Sequence, residues 1–132
     1  MDFLLVGLLS ILCYSNGVNN CVVSTIDDKP VIAAVNDKKS DLEDAIENAL
    51  NYIKKALNSD SMDDLHYYAR KAKNYASEAE DLADDLNLDD IEDYCHKGWR
   101  YARDAEGEDS RRDAVEYLSI ARKALQNAYY CL

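Results

Sequence analysis

The sequence predicts an all-α fold, an up-down four-helix bundle with alanine-rich seams. Three observations predict it. Four successive stretches place apolar residues three and four apart, the spacing that gathers them on one helical face. Capping residues stand at the starts of these stretches. The connections between them are short, which favours antiparallel neighbours. Three long helices with a loosely packed first helix is the architectural alternative.

The first helix is expected to begin at Ser40-Asp41-Leu42-Glu43, a capping box in which Ser40 accepts from the backbone of Glu43 and Glu43 reaches back. Its stripe is Leu42, Ala45, Ile46, Ala49, Leu50, Ile53 and Leu57, and Asn58-Ser59-Asp60-Ser61 ends it. The second starts from Ser61, with Asp63 and Asp64 in the first turn, where acids favour the helix dipole. Leu65, Ala72, Ala79 and Leu86 recur every seven residues, and Ala69, Ala76 and Ala83 form a second row. Such a seam of small residues allows close helix approach, and Tyr68, Tyr75 and Leu82 flank it. The third is expected from Asp89 as a cap, with Glu92 at the capping-box position and a seam of Ile91, Cys95, Gly98, Ala102 and Ala105. A helical Gly costs about 1 kcal/mol relative to Ala, so Gly98 is read as room for a bulky neighbour. The fourth starts at Ser110, and its seam is Ala114, Leu118, Ala121, Leu125 and Ala128.

Ahead of the helices, Phe3 to Leu12 form a short apolar run, followed by small residues at Ser15 and Gly17. This reads as a signal peptide over residues 1–17, although its start carries Asp2 and no Lys or Arg. The run is too short for a stable membrane span. Residues 18–39 then form an N-terminal extension, with Pro30 read as a breaker, and residues 40–132 form the helical bundle domain. The expected localisation is secreted and extracellular, with no membrane attachment once the leader is removed.

The formal net charge is −11, from 26 acidic and 15 basic residues. Such a chain is repelled by nucleic-acid phosphates, so no nucleic-acid partner is expected; a basic protein or a neutral ligand fits better. Cleavage after Gly17 would leave Cys21, Cys95 and Cys131, an odd count that suggests one disulfide plus a free thiol or an intermolecular bridge. In an up-down bundle the three gather at one pole. Cys95 and Cys131 are offset by about 13 Å along the axis at 1.5 Å per residue, beyond a disulfide's reach. Cys21 is therefore the favoured partner of one of them, and the odd thiol is a route to a dimer.

No reacting group stands out, and the chain is not expected to be an enzyme or to hold a metal or cofactor. Asp63-x-x-His66 and Asp93-x-x-His96 share a ligand-like spacing, but the two histidines fall at opposite poles, roughly 30 Å apart. Asp85-x-Asn87-x-Asp89 begins like a calcium loop, yet Asp90 stands where that loop needs Gly and His96 where it needs Glu. The remaining signal is aromatic. Tyr67, Tyr75, Tyr94, Trp99, Tyr101 and Tyr117 are the candidate binding surface, because Tyr and Trp are favoured where proteins bind. The competing reading is that they plug the grooves beside small seam residues.

In layout the chain resembles the small secreted helical proteins that parasites and plant-feeding insects deliver into hosts, salivary effectors among them. The resemblance rests on Met1 to Gly17, on the acidic helical body and on the lack of a catalytic set. It covers the whole chain but transfers no functional residue. It implies a protein that acts by binding a partner, a host protein included. A carrier of a small apolar ligand between helices, lined by Ile46, Leu50, Tyr94 and Trp99, and a self-assembling structural protein are the alternatives.

Overall fold

The structure, a computed structural model, describes the backbone from Asp28 to Leu132 and the side chains from residue 33 onward. The expected leader, Cys21 and most of the expected extension lie outside the described residues. All regular structure among the described residues is helical: α1 (Asp28–Leu57), α2 (Met62–Asp85), α3 (Asp89–Glu106) and α4 (Arg111–Tyr130). By its contacts the chain divides into residues 1–37 and residues 38–132, and the bundle lies in the second unit.

Contacts between helix ends give the topology. His66, near the start of α2, donates from Nε2 to the carbonyl of Glu108 just past α3, at 2.7 Å. Arg111, which opens α4, donates to the carbonyl of Ser59 between α1 and α2. At the other pole Lys38 of α1 pairs with Asp85, the last residue of α2, at 3.5 Å. Tyr129, near the end of α4, reaches Glu43 and Glu47 of α1. Each helix thus runs opposite to its neighbours, and the order around the bundle is α1, α2, α3, α4. This is the up-down four-helix bundle that the periodicity predicts, and α1 is packed into its core.

The seams are buried as their spacing requires. Leu42, Ala45, Ile46, Ala49, Ile53 and Ala56 of α1 meet Leu65, Ala69, Ala72, Ala76, Ala79 and Ala83 of α2. Ile91, Cys95, Ala102 and Ala105 of α3 and Ala114, Leu118, Ala121, Leu125 and Ala128 of α4 complete one core cluster. Gly98 has the role expected of it. A Cβ there would stand 2.7 Å from Cγ of Leu125, so α4 seats a fully buried leucine against bare α3 backbone.

Two helix starts differ from expectation. α1 begins at Asp28 rather than Ser40, so the Ser40–Glu43 capping box does not form. Pro30 falls in the first turn of the helix, where no intrahelical partner awaits its missing N–H, so it opens the element instead of breaking it. Residues 33–41 are all exposed and Leu42 is the first buried residue, which is why the apolar stripe marks only the packed part of α1. At α3 the N-cap is Leu88, without a side-chain cap, and Asp89 is the first helical residue. The preceding turn dictates this shift. Asn87 adopts φ 58°, Leu88 N–H bonds to Ala83 O at 2.9 Å, and Asn87 N–H bonds to Asp84 O at 3.0 Å. That is a Schellman closure of α2, and it commits Leu88 to both helices. The other two caps are as expected. Ser61 accepts from Asp64 N–H at 3.1 Å and Ser110 from Asp113 N–H at 3.4 Å.

Candidate functional site

The six aromatic residues expected to form a binding surface do not share a face. The bundle distributes them among its grooves. Tyr75 lies between α1 and α2, stacked on Tyr52 with centroids 5.7 Å apart and planes 8° apart. Tyr68 joins the same stack at 6.1 Å, and Tyr67 meets Tyr68 edge-on at 5.3 Å. Trp99 lies on the α2 side of α3, beside His96 at 5.5 Å and under the guanidinium of Arg103 at 4.9 Å. Tyr101 of α3 meets Tyr117 of α4 at 6.1 Å. Tyr94 lines the same α3–α4 side, in a groove with Lys97, Ser119, Ile120 and Lys123. Tyr129 closes the fourth side, donating to Glu47 of α1 at 3.2 Å.

Each interhelical groove therefore holds aromatic side chains beside an alanine seam. Most are half-buried against the core cluster. Small seam residues leave shallow channels along a bundle, and a planar ring with a wet hydroxyl fills one without burying a polar atom. The groove-filling reading accounts for Tyr75, Tyr94, Trp99, Tyr101 and Tyr117. Tyr67, 48% exposed, and Tyr130, 80% exposed, are the large aromatics left at the surface. Sequence reasoning passed over Tyr52, which anchors the α1–α2 stack. The signal that could have found it is its position one residue before Ile53 of the stripe, on the flank facing α2.

The cysteines are placed as follows. Cys95 is a fully buried free thiol in the core, and burial, aided by Glu80, pushes it up to about 12. Cys131 is an exposed free thiol beside the start of α3, in a surface recess with Asn87, Leu88 and Ile91. Cys21 is outside the described residues. His66 and His96 lie far apart, each engaged locally: His66 with the Glu108 carbonyl, and His96 through Nδ1 with Glu80 at 2.9 Å.

Electrostatics separates the two poles. Residues 38–47 and 78–93 hold thirteen acids and two lysines, and the remaining residues hold thirteen acids and thirteen bases. The whole net charge of −11 thus resides in the start of α1 and the α2–α3 hairpin, which share one pole. Glu92 records the crowding. Partial desolvation and the charges of Asp84, Asp89, Asp93 and Glu80 hold its carboxyl above the usual range. At the opposite pole Glu106 accepts from Lys73 at 2.6 Å and Arg70 at 2.8 Å. Desolvation raises that carboxyl, but the two hydrogen bonds and charges outweigh it and hold it below the usual range.

No family model, curated protein or solved structure matches the chain. The site must be argued from its own chemistry. Among the described residues no helix is long and apolar enough to cross a membrane, and no group of three His, Cys, Asp or Glu side chains is placed to hold a metal ion.

Proposed function

We propose that this chain is a secreted interaction protein of the host-directed effector type, which binds a basic partner protein through its acidic pole. The observation that carries the reading is the segregation of charge. Residues 78–93 bring nine acids and no base to one hairpin, while the rest of the bundle is near neutrality. Charge kept only for solubility has no reason to collect at one end, where it repels itself and destabilises the compact state. Concentrated there, it steers a positive partner and fixes its orientation.

The bundle interior favours this over a carrier. Leu50 borders α4, Tyr94 lies in the α3–α4 groove and Trp99 on the α2 side of α3, while Ile46 is in the packed core. The four residues a ligand cavity would need do not converge. Self-association through the exposed thiol of Cys131 is a second reading, and disulfide-linked dimers on a non-reducing gel would support it.

The test is affinity capture with the purified chain from host or source extract, run beside two neutralised variants. A protein retained by the wild type should be lost with Asp84→Asn, Asp85→Asn, Asp89→Asn and Asp90→Asn combined. It should be kept with Asp60→Asn, Glu108→Gln, Asp109→Asn and Glu116→Gln combined, and released by raised salt. Retention of no protein, together with an extracted lipid or pigment, would overturn the reading in favour of a carrier.

A further inference from the structure

The end of α1 and the start of α2 enclose an open groove of about 680 Å³, at the pole opposite the acidic one. It falls within the size range of small-molecule sites. One wall is the tyrosine stack, with Tyr52 and Tyr68 lining the groove and Lys55 Nζ 4.9 Å from the Tyr52 centroid and 5.9 Å from that of Tyr68. Stacking against Tyr75 and the lysine above fixes these rings, so a ligand meets a preorganised wall. The other wall carries the side-chain amides of Asn48, Asn51 and Asn58.

Those amides are the unusual feature. Asn48 and Asn51 lie inside α1, where Asn is a poor helix former compared with the Lys, Glu and Ala used elsewhere on the bundle. Neither forms a side-chain hydrogen bond with another described residue, so neither repays that cost within the chain. Local rules are broken in this way where a surface serves a ligand. The groove is also electrically neutral within an acidic molecule, since Lys54 and Lys55 are matched by Asp60 and Asp64. An amide presents a donor and an acceptor side by side, the pattern that pairs with adjacent hydroxyls. The C–H face of a pyranose packs against an aromatic ring.

We propose that this groove binds a neutral oligosaccharide. The Asn48 and Asn51 amides hold ring hydroxyls, Asn58 extends the contact, and the edge of the Tyr52–Tyr68 stack takes a sugar face. The proposal stands on the groove alone and does not depend on the acidic pole having a protein partner.

The test is a titration of the full chain with cellotetraose, maltotetraose and chitotetraose, followed by NMR of the side-chain amides. At least one sugar should move the Asn48, Asn51 and Asn58 signals saturably, with Kd on the order of 1 mM. The double variant Asn48→Ala with Asn51→Ala should bind about tenfold or more weakly, a loss of about 1.4 kcal/mol. Alanine is the better helix former, so this variant should melt no lower than the wild type, and lost binding cannot be ascribed to lost folding. Three flat titrations overturn the proposal. So does a response confined to other residues, or binding that survives in the double variant.

Discussion

The two poles of this bundle are built from the same helices and are held together differently. At the pole formed by the ends of α1 and α3 and the starts of α2 and α4, charges are paired across helices. Glu106 bridges to Arg70 and Lys73, His66 ties to the Glu108 carbonyl and Arg111 to that of Ser59. At the other pole acids outnumber bases, and the cross-helix contacts are fewer and more exposed: Lys38 with Asp85, and His96 with Glu80. The first pole uses electrostatics to hold helices. The second is held by its apolar seam and its turn, in spite of its electrostatics. The difference teaches that net charge is a property of place in this molecule, and that the acidic pole bears a cost which binding a partner would relieve.

The midsection between the poles sets the scale for everything else. Gly98→Ala would gain helix propensity but drive a methyl into Leu125. Overpacking of this kind costs about 1–3 kcal/mol, against about 1 kcal/mol returned by propensity. The variant should therefore unfold at lower urea, by roughly 1 kcal/mol net. In a Leu125→Ala background the same substitution should become neutral or stabilising. That change of sign, read from urea midpoints, checks whether close packing, rather than helix flexibility, explains the glycine.

The paired pole comes next. Glu106→Gln removes the shared acceptor of two cations and leaves them facing each other across the α2–α3 interface. An expected loss of about 1 kcal/mol follows, since a network with a partly buried member exceeds an exposed pair. Raising salt should shrink the difference between wild type and variant. If the variant is as stable as the wild type at low salt, the contrast between the poles is wrong.

How much of this was legible in the sequence follows from what periodicity measures. Stripes such as Leu65–Ala72–Ala79 report which side of a helix is packed, and those residues are buried as read. Stripes do not report where a helix stops once packing ends, so the exposed run through Val35 and Ser40 was taken for an extension. Asp89 was read as a cap because Asx residues cap helices. The Schellman closure at Asn87 had already placed Leu88 in that role, and only backbone geometry shows it. The aromatic surface failed for a related reason. Each Tyr lies correctly on a flank of its seam, but which flanks meet depends on the order of helices around the bundle. Charge segregation was in reach: nine acids in residues 78–93 form a visible run, and the net total conceals it.

The turn at the acidic pole gives a smaller effect. Asn87 holds a left-handed conformation, which costs alanine more than asparagine. Asn87→Ala should lower stability by about 1 kcal/mol and Asn87→Gly should match or exceed the wild type. Because little ionic pairing supports this pole, the loss should appear first as faster amide exchange at Leu86, Asn87 and Leu88, ahead of the opposite pole.

The finest separation of the poles is by pH, because their key carboxyls are shifted in opposite directions. Glu92 is held above its ordinary value of 4.5, so the folded chain binds its proton more tightly than the unfolded chain does. Stability from this group therefore increases as pH falls from neutrality towards 4.5. Glu106 is held below 4.5, so its contribution is complete above that value and is lost as pH falls through the folded value. The wild type should thus gain stability on mild acidification and lose it on further acidification, with a maximum near pH 4.5–5. Glu92→Gln should flatten the neutral side of the urea-midpoint profile, and Glu106→Gln the acid side. A profile in which either substitution flattens both sides would mean that the poles titrate as one unit, and the division of the molecule into a paired and an unpaired end would fail.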